Sequence, residues 1–161
     1  MTARAFPLAG LVIAHDSSPG DATRVSGLVR TLADVGASPV VVALAPEVDA
    51  PAGGRVVRTR ANGSAIAAIR LGMAQLTNTV ATAVLLAPFR VQRTSLVALL
   101  ALVDAAKRDD RAIVAFANAS LDESALLLPR DVWLELVTVG ESGMDAIAAR
   151  RRVLRVDVET G

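Results

Sequence analysis

LAGLVIAHDSSPGDATRVSGLVR, residues 8–30, decides how the rest of the chain is read. Residues 8–14 are an unbroken apolar run of strand length, the pattern of a strand buried on both faces. A polar turn follows at residues 15–21. Val25, Leu28, Val29 and Leu32 then recur at helical spacing until Gly36 ends the helix. Strand, tight turn and helix make the first half of a βαβ unit, which predicts a parallel sheet covered by helices.

The same grammar continues. PVVVALA (39–45) is a second strand without alternation, and GRVVRT (54–59) is shorter and more polar, suited to a sheet edge. Asn62, Gly63 and Ser64 turn the chain and cap a helix whose Ile66, Ile69, Met73 and Leu76 form one stripe. ATAVLLA (81–87) is another buried strand. The helix after it is expected to turn Leu96, Leu99, Leu100 and Val103 to the core and to end on cations at 107–108. AIVAF (112–116) and SALLLP (124–129) are strands too close together for a crossover helix, so an antiparallel arrangement is expected. Two short helices follow, the first started by Pro129 and the pair separated at Gly140, and VLRVDVE (153–159) closes the chain as a strand. The expected fold is one domain over residues 1–161, a three-layer α/β sandwich with a mostly parallel sheet and right-handed crossovers.

Composition narrows the function classes. The 161 residues are 53% apolar but include only three Phe, one Trp and no Tyr, so the core is aliphatic and offers few platforms for stacking a nucleobase. A net charge of +1 with arginines dispersed along the chain points away from nucleic acid. The run from Arg150 to Arg155 reads as a solvated helix end. The absence of cysteine excludes disulfides, thiolate metal sites and a cysteine nucleophile. Mean hydropathy is +0.48, yet polar residues interrupt every apolar run before membrane-spanning length, and a soluble, cytoplasmic protein is expected.

Ligands of parallel sheets bind beyond the carboxyl ends of the strands, so loops 15–22, 60–64 and 87–93 hold the candidates. His15 beside Asp16 offers an acid–base pair or a metal ligand, but one histidine and one carboxylate do not make a site. A turn in which Asp16 or Ser17 bonds local backbone N–H groups is the favoured reading, with Asp21 as helix cap or first-turn charge. Ser17 and Ser18 lack the G-x-S-x-G elbow of a hydrolase nucleophile. Asn62, Gly63 and Ser64 start a helix whose N–H groups suit an anion, assisted by Arg60 or Arg70, although capping explains the same residues. Arg90 and Arg93 make the last loop attractive to phosphate, against the simpler reading of two solvated arginines. Trp133 is expected to pack among aliphatic neighbours. No G-x-G-x-x-G follows the first strand, which removes a dinucleotide-binding reading.

Four segments carry a family resemblance. LADVGASPVVVAL, AAIRLGMAQL, ATAVLLAPFRVQRTSLVALLAL and ESALLLPRDVWLELVTVGESGMDAIAARRRVLRVDVE occur in the order of similar segments in the MobA-like NTP transferases, the molybdenum cofactor cytidylyl- and guanylyltransferases and their relatives. The resemblance covers about residues 28–159 and implies a nucleotide-diphospho-sugar transferase, Rossmann-like fold. It also implies a site, from which this chain departs. The family opens with a LAGGxSxRMGxxK loop that grips the triphosphate; here only LAG (8–10) remains, and the sole lysine, Lys107, lies far along the chain. The family's LLADQP carries a magnesium-binding Asp, and LLAPFR puts Pro88 in its place. Its GHP becomes Glu123–Ala125.

These departures favour a chain that keeps the framework without nucleotidyl transfer, serving as a binding or partner subunit linked to molybdenum cofactor biosynthesis. No catalytic residue, metal ligand or resident cofactor is assigned on this reading. Its ligand is a nucleotide or another anion at Asp16, Ser17, Ser18, Asn62, Gly63, Ser64, Arg70 and Arg90, and its partner is a second copy or another protein. The alternative is an active, diverged nucleotidyltransferase that uses an NTP with magnesium, Asp16 replacing the missing carboxylate.

Overall fold

The computed structural model describes residues 6–90, 95–117, 119, 121, 124–138 and 147–157. The strands are β1 (Leu8–Ala14), β2 (Val40–Leu44), β3 (Arg55–Arg58), β4 (Ala83–Pro88), β5 (Ile113–Phe116), β6 (Leu126–Pro129) and β7 (Val153–Val156). The helices are α1 (Ala22–Val35), α2 (Ala65–Ala74), α3 (Leu96–Arg108) and α4 (Arg130–Thr138). One sheet takes all the described strands in the order β3-β2-β1-β4-β6-β5-β7. β6 runs antiparallel to both neighbours and every other pairing is parallel.

Every residue of β1 and of β2 is buried, as the unalternating sequence requires, while β3 at the edge exposes Arg55 and Arg58. α1 and α3 cover one face and α2 and α4 the other. α1 carries the chain from β1 to β2, and α2 carries it back across the sheet on the opposite face, which preserves a single hand. α3 shares the α1 face but moves the chain from β4 to β5 in the other direction, so the crossovers on that face have opposite hands. The uniform right-handed pattern therefore fails here. β6 fills the gap that α3 spans, and α4 packs on β6 from the far side.

Helix ends follow the sequence. Gly36 closes α1 at φ 108°, and Ser64 and Ser95 each accept a backbone N–H from the first turn of α2 and of α3. Three local expectations are corrected. Leu96 and Leu100 face solvent, with Val97, because α3 buries Ala98, Leu99, Leu102 and Val103; the apolar stripe is set one position over by small alanines that sit close to the sheet. Pro129 ends β6, and α4 starts at Arg130. Arg151 and Arg152 are not merely solvated: Arg151 bridges Asp131 and Glu135, and Arg152 pairs with Asp109. Gly140 and most of the second short helix lie outside the described residues, with Ile147 and Ala148 helical at its end.

Two contacts hold the layers. Gly72 of α2 lies directly on Leu11 of β1, where an added Cβ would overlap Leu11 Cδ1 and stand 3.1 Å from Cγ. Arg130 donates to the carbonyls of Thr77 (2.6 Å), Thr79 (2.7 Å) and Ala81 (2.7 Å), and its guanidinium lies 5.2 Å from the ring centre of Trp133. Trp133 is buried, as expected, and its Nε1 donates to Leu128 O at 3.3 Å. Gly72→Val is expected to cost about 2–3 kcal/mol in urea unfolding, less than additively with Leu11→Ala, since the smaller residue removes the overlap. Arg130→Lys keeps the charge but not the fork, and a loss of about 1–3 kcal/mol in the same measurement is expected.

Candidate functional site

The chain leaves β1 for β2 and β3 on one side and returns to β4 on the other, so the direction of connection reverses at β1, and the loops after β1 and β4 leave the carboxyl edge side by side toward α1 and α3 on the same face. Backbone bonds set the level of that edge. Phe89 N donates to Ile13 O (3.0 Å), Ala45 N to Ala14 O (3.1 Å) and Thr59 N to Leu44 O (3.0 Å). Four loops therefore leave the sheet side by side.

The turn after β1 is closed by its own serines. Ser17 donates from N (3.3 Å) and Oγ (2.6 Å) to Ala14 O. Ser18 donates from N (2.9 Å) and Oγ (3.1 Å) to Asp21 Oδ2, and Pro19–Asp21 forms a single 3-10 turn that feeds α1. Asp21 thus reaches backward to Ser18 and makes no side-chain cap on α1. The Ser18 backbone N–H is the main cause holding its carboxyl below the usual 3.8. Burial opposes the shift, and the Ser18 hydroxyl and the charges of Arg90 and Arg24 reinforce it.

Asp16 behaves differently from the turn expected of it. Its carboxylate bonds no local N–H; Oδ2 accepts from Arg90 Nε at 2.8 Å, and its backbone oxygen accepts from Arg90 Nη2 at 2.8 Å. Arg90 lies on the neighbouring loop after β4, and its guanidinium sits 4.7 Å from the ring centre of Phe89, which is itself buried. Both charged side chains are about half exposed. Among the described residues His15 Nδ1 is buried with no hydrogen-bond partner, and it lies 3.9 Å from Asp16 Oδ1, beyond hydrogen-bond reach.

The remaining candidates are separated from this pair. Asn62 (φ 65°), Gly63 and Ser64 follow edge strand β3, and the register Arg58–Leu44–Ala14 places β3 two strand spacings, roughly 10 Å, from β1. They are engaged locally, Gly63 N donating to Arg60 O (3.1 Å) and Ser64 Oγ accepting from Ala67 N (3.2 Å). The Arg60 side chain is exposed. Arg70 Nε donates to Leu136 O of α4 at 3.1 Å, which directs it into the α2–α4 layer, on the face opposite α1 and α3. Arg93 lies outside the described residues, as does Glu123.

Magnesium does not fit the residues at the edge. Pro88 ends β4 beside Ile13 and supplies no ligating side chain, Asp16 is engaged by Arg90, and Asp21 by Ser18. Among the described residues no group of three or more His, Cys, Asp or Glu side chains is placed to hold a metal ion. The Asp16–Arg90 pair was not legible as a pair in the sequence. Its two members are 74 positions apart, and only the strand order makes them neighbours.

No family model and no curated protein matches the chain. Solved structures do. Rv0371c from Mycobacterium tuberculosis H37Rv, in complex with manganese, has a TM-score of 0.74 at 17% identity over 98% of this chain and 91% of that one. The 2-C-methyl-D-erythritol 4-phosphate cytidylyltransferase of Thermus thermophilus gives 0.62 at 17% identity over 93% and 88%. CMP:2-keto-3-deoxy-manno-octonic acid synthetase complexed with CTP gives 0.65 at 12% identity over 96% and 90%. The chain shares the α/β, Rossmann-like fold of these structures, cytidylyltransferases among them; the narrower MobA-like resemblance rests on the sequence segments.

The Asp21 geometry has a pH consequence. A carboxyl with a depressed folded pKa stabilises the fold above its unfolded pKa, and that contribution is lost as pH falls through the folded value. The stability difference between the wild type and Asp21→Ala is therefore expected to hold from neutral pH down to about 4 and to shrink below it, followed by urea midpoints across pH. A difference that grows on acidification would contradict the assignment.

Proposed function

We propose that this chain is a nucleotidyltransferase-fold protein that has given up nucleotidyl transfer and acts as a binding or partner subunit, in molybdenum cofactor handling as the MobA-like segments imply. The observation that carries the proposal is the carboxyl edge at β1 and β4: Pro88 stands where the family pattern has a metal-binding carboxylate, and the neighbouring Asp16 is held by Arg90. Nucleotidyl transfer needs a cation to bridge phosphate oxygens and offset charge in the transition state. An arginine salt-bridged to the remaining carboxylate competes with that cation.

Incubation with each of the four common NTPs, Mg²⁺ or Mn²⁺ and a phosphorylated acceptor, molybdopterin or a sugar phosphate, to take up the nucleotidyl group is expected to release no pyrophosphate, and the metal is expected to add nothing to the melting temperature measured with nucleotide alone. Metal-dependent pyrophosphate release would overturn the proposal. The cofactor link is checked separately by oxidising the purified protein and reading pterin fluorescence, where a pterin-bearing ligand is expected. A second reading, an active diverged enzyme, draws on the half-exposed Asp16 carboxylate at the end of β1. On that reading Asp16→Asn abolishes turnover.

A further inference from the structure

We infer that Arg90 is a tethered cation at the switch point, and that its outer edge binds an oxyanion of a small ligand without any metal. The inference rests on the reading of this carboxyl edge as a binding site and names the chemistry of what it binds. A guanidinium presents five N–H donors in a rigid plane. Arg90 commits its inner edge to Asp16, Nε to the carboxylate and Nη2 to the backbone oxygen, each at 2.8 Å. Phe89 supports the plane from one side, and the Phe89 backbone N is itself fixed to Ile13 O at the end of β1.

These three anchors hold the side chain in one orientation before any ligand arrives, so little rotamer entropy remains to be lost on binding. The outer edge is open. Among the described residues Nη1 has no partner, and the side chain is 54% exposed. Nη1 and the second Nη2 proton form a fork whose spacing matches two oxygens of a phosphate or carboxylate. The inner contacts explain why no metal is needed. A carboxylate oxygen and a carbonyl oxygen of one residue are ligands a hard cation would take, and here a covalently attached cation occupies them. Asp16 orients the fork but also offsets its charge, so the site suits a group that brings two acceptor oxygens more than one that relies on net charge.

The test follows the Arg90 side-chain Nε–H by ¹⁵N NMR while inorganic phosphate, and separately acetate, is added in EDTA, with affinities from calorimetry. Phosphate is expected to shift the Arg90 signal saturably, and Arg90→Gln to weaken binding about tenfold or more, while Arg30→Gln on the outer side of α1 leaves it unchanged. Asp16→Asn keeps an acceptor for Nε and removes one exposed charge, so binding is expected to tighten about two- to fivefold. A response to phosphate alone assigns a phosphate site, and a response to both anions assigns a general oxyanion fork. An unmoved Arg90 signal with both anions, or an Arg90→Gln variant that binds like the wild type, overturns the inference. NTP binding in EDTA without movement of Arg90 sinks this inference and spares the binding reading. Metal-dependent pyrophosphate release alongside an Arg90 response to phosphate does the reverse.

Discussion

β1 is hydrogen-bonded in parallel on both sides, to β2 and to β4, with every residue buried. A parallel neighbour cannot be reached by a hairpin, so each side of β1 demands a crossover, and a strand flanked on both sides demands crossovers in both directions. The reversal of direction at β1 is what sets the loops after β1 and β4 side by side at the carboxyl edge, and the burial of its two faces is what makes helices on both sides obligatory. Gly72 belongs to the same constraint, because α2 can approach β1 this closely only where no Cβ meets Leu11.

Three arginines fix loops to the sheet. Arg58 donates to Ala45 O (2.9 Å) and Val48 O (2.6 Å), Arg130 to three carbonyls around residues 77–81, and Arg155 to Phe116 O (3.0 Å) and Ala119 O (2.8 Å). Each guanidinium gathers carbonyl oxygens that a turn leaves outside the ladders, which a point-charge ammonium does less well. A chain with one lysine and a loop-rich sheet edge relies on that geometry. Arg90 belongs to this group through Asp16 O and departs from it in leaving an edge open.

The carboxyl edge also separates framework from local chemistry. Pro88 sits at the last position of β4, where proline sacrifices no interior ladder bond. The turn between β1 and α1 is closed by its own Ser17 and Ser18, so the sheet order places few demands on which residues stand there.

Local sequence determined the strands at 8–14, 39–45 and 81–87, the caps at Ser64 and Gly36, the edge position of β3 and the antiparallel β6, because each follows from hydrophobic periodicity, turn chemistry or connection length. The exposed side of α3 was misread because an aliphatic helix with leucine on two faces has no clear stripe, and only its packing chose Leu99 and Leu102 over Leu96 and Leu100. Of the candidate site, the sequence located the loops and the tertiary structure decided their meaning. It brought Asp16 to Arg90, turned Arg70 away to Leu136 and left Asn62, Gly63 and Ser64 as a cap. The physical reason is that strand order is a non-local property: nothing in the residues near Asp16 states that β4 lies beside β1, and the pairing of their loops exists only once that order is set.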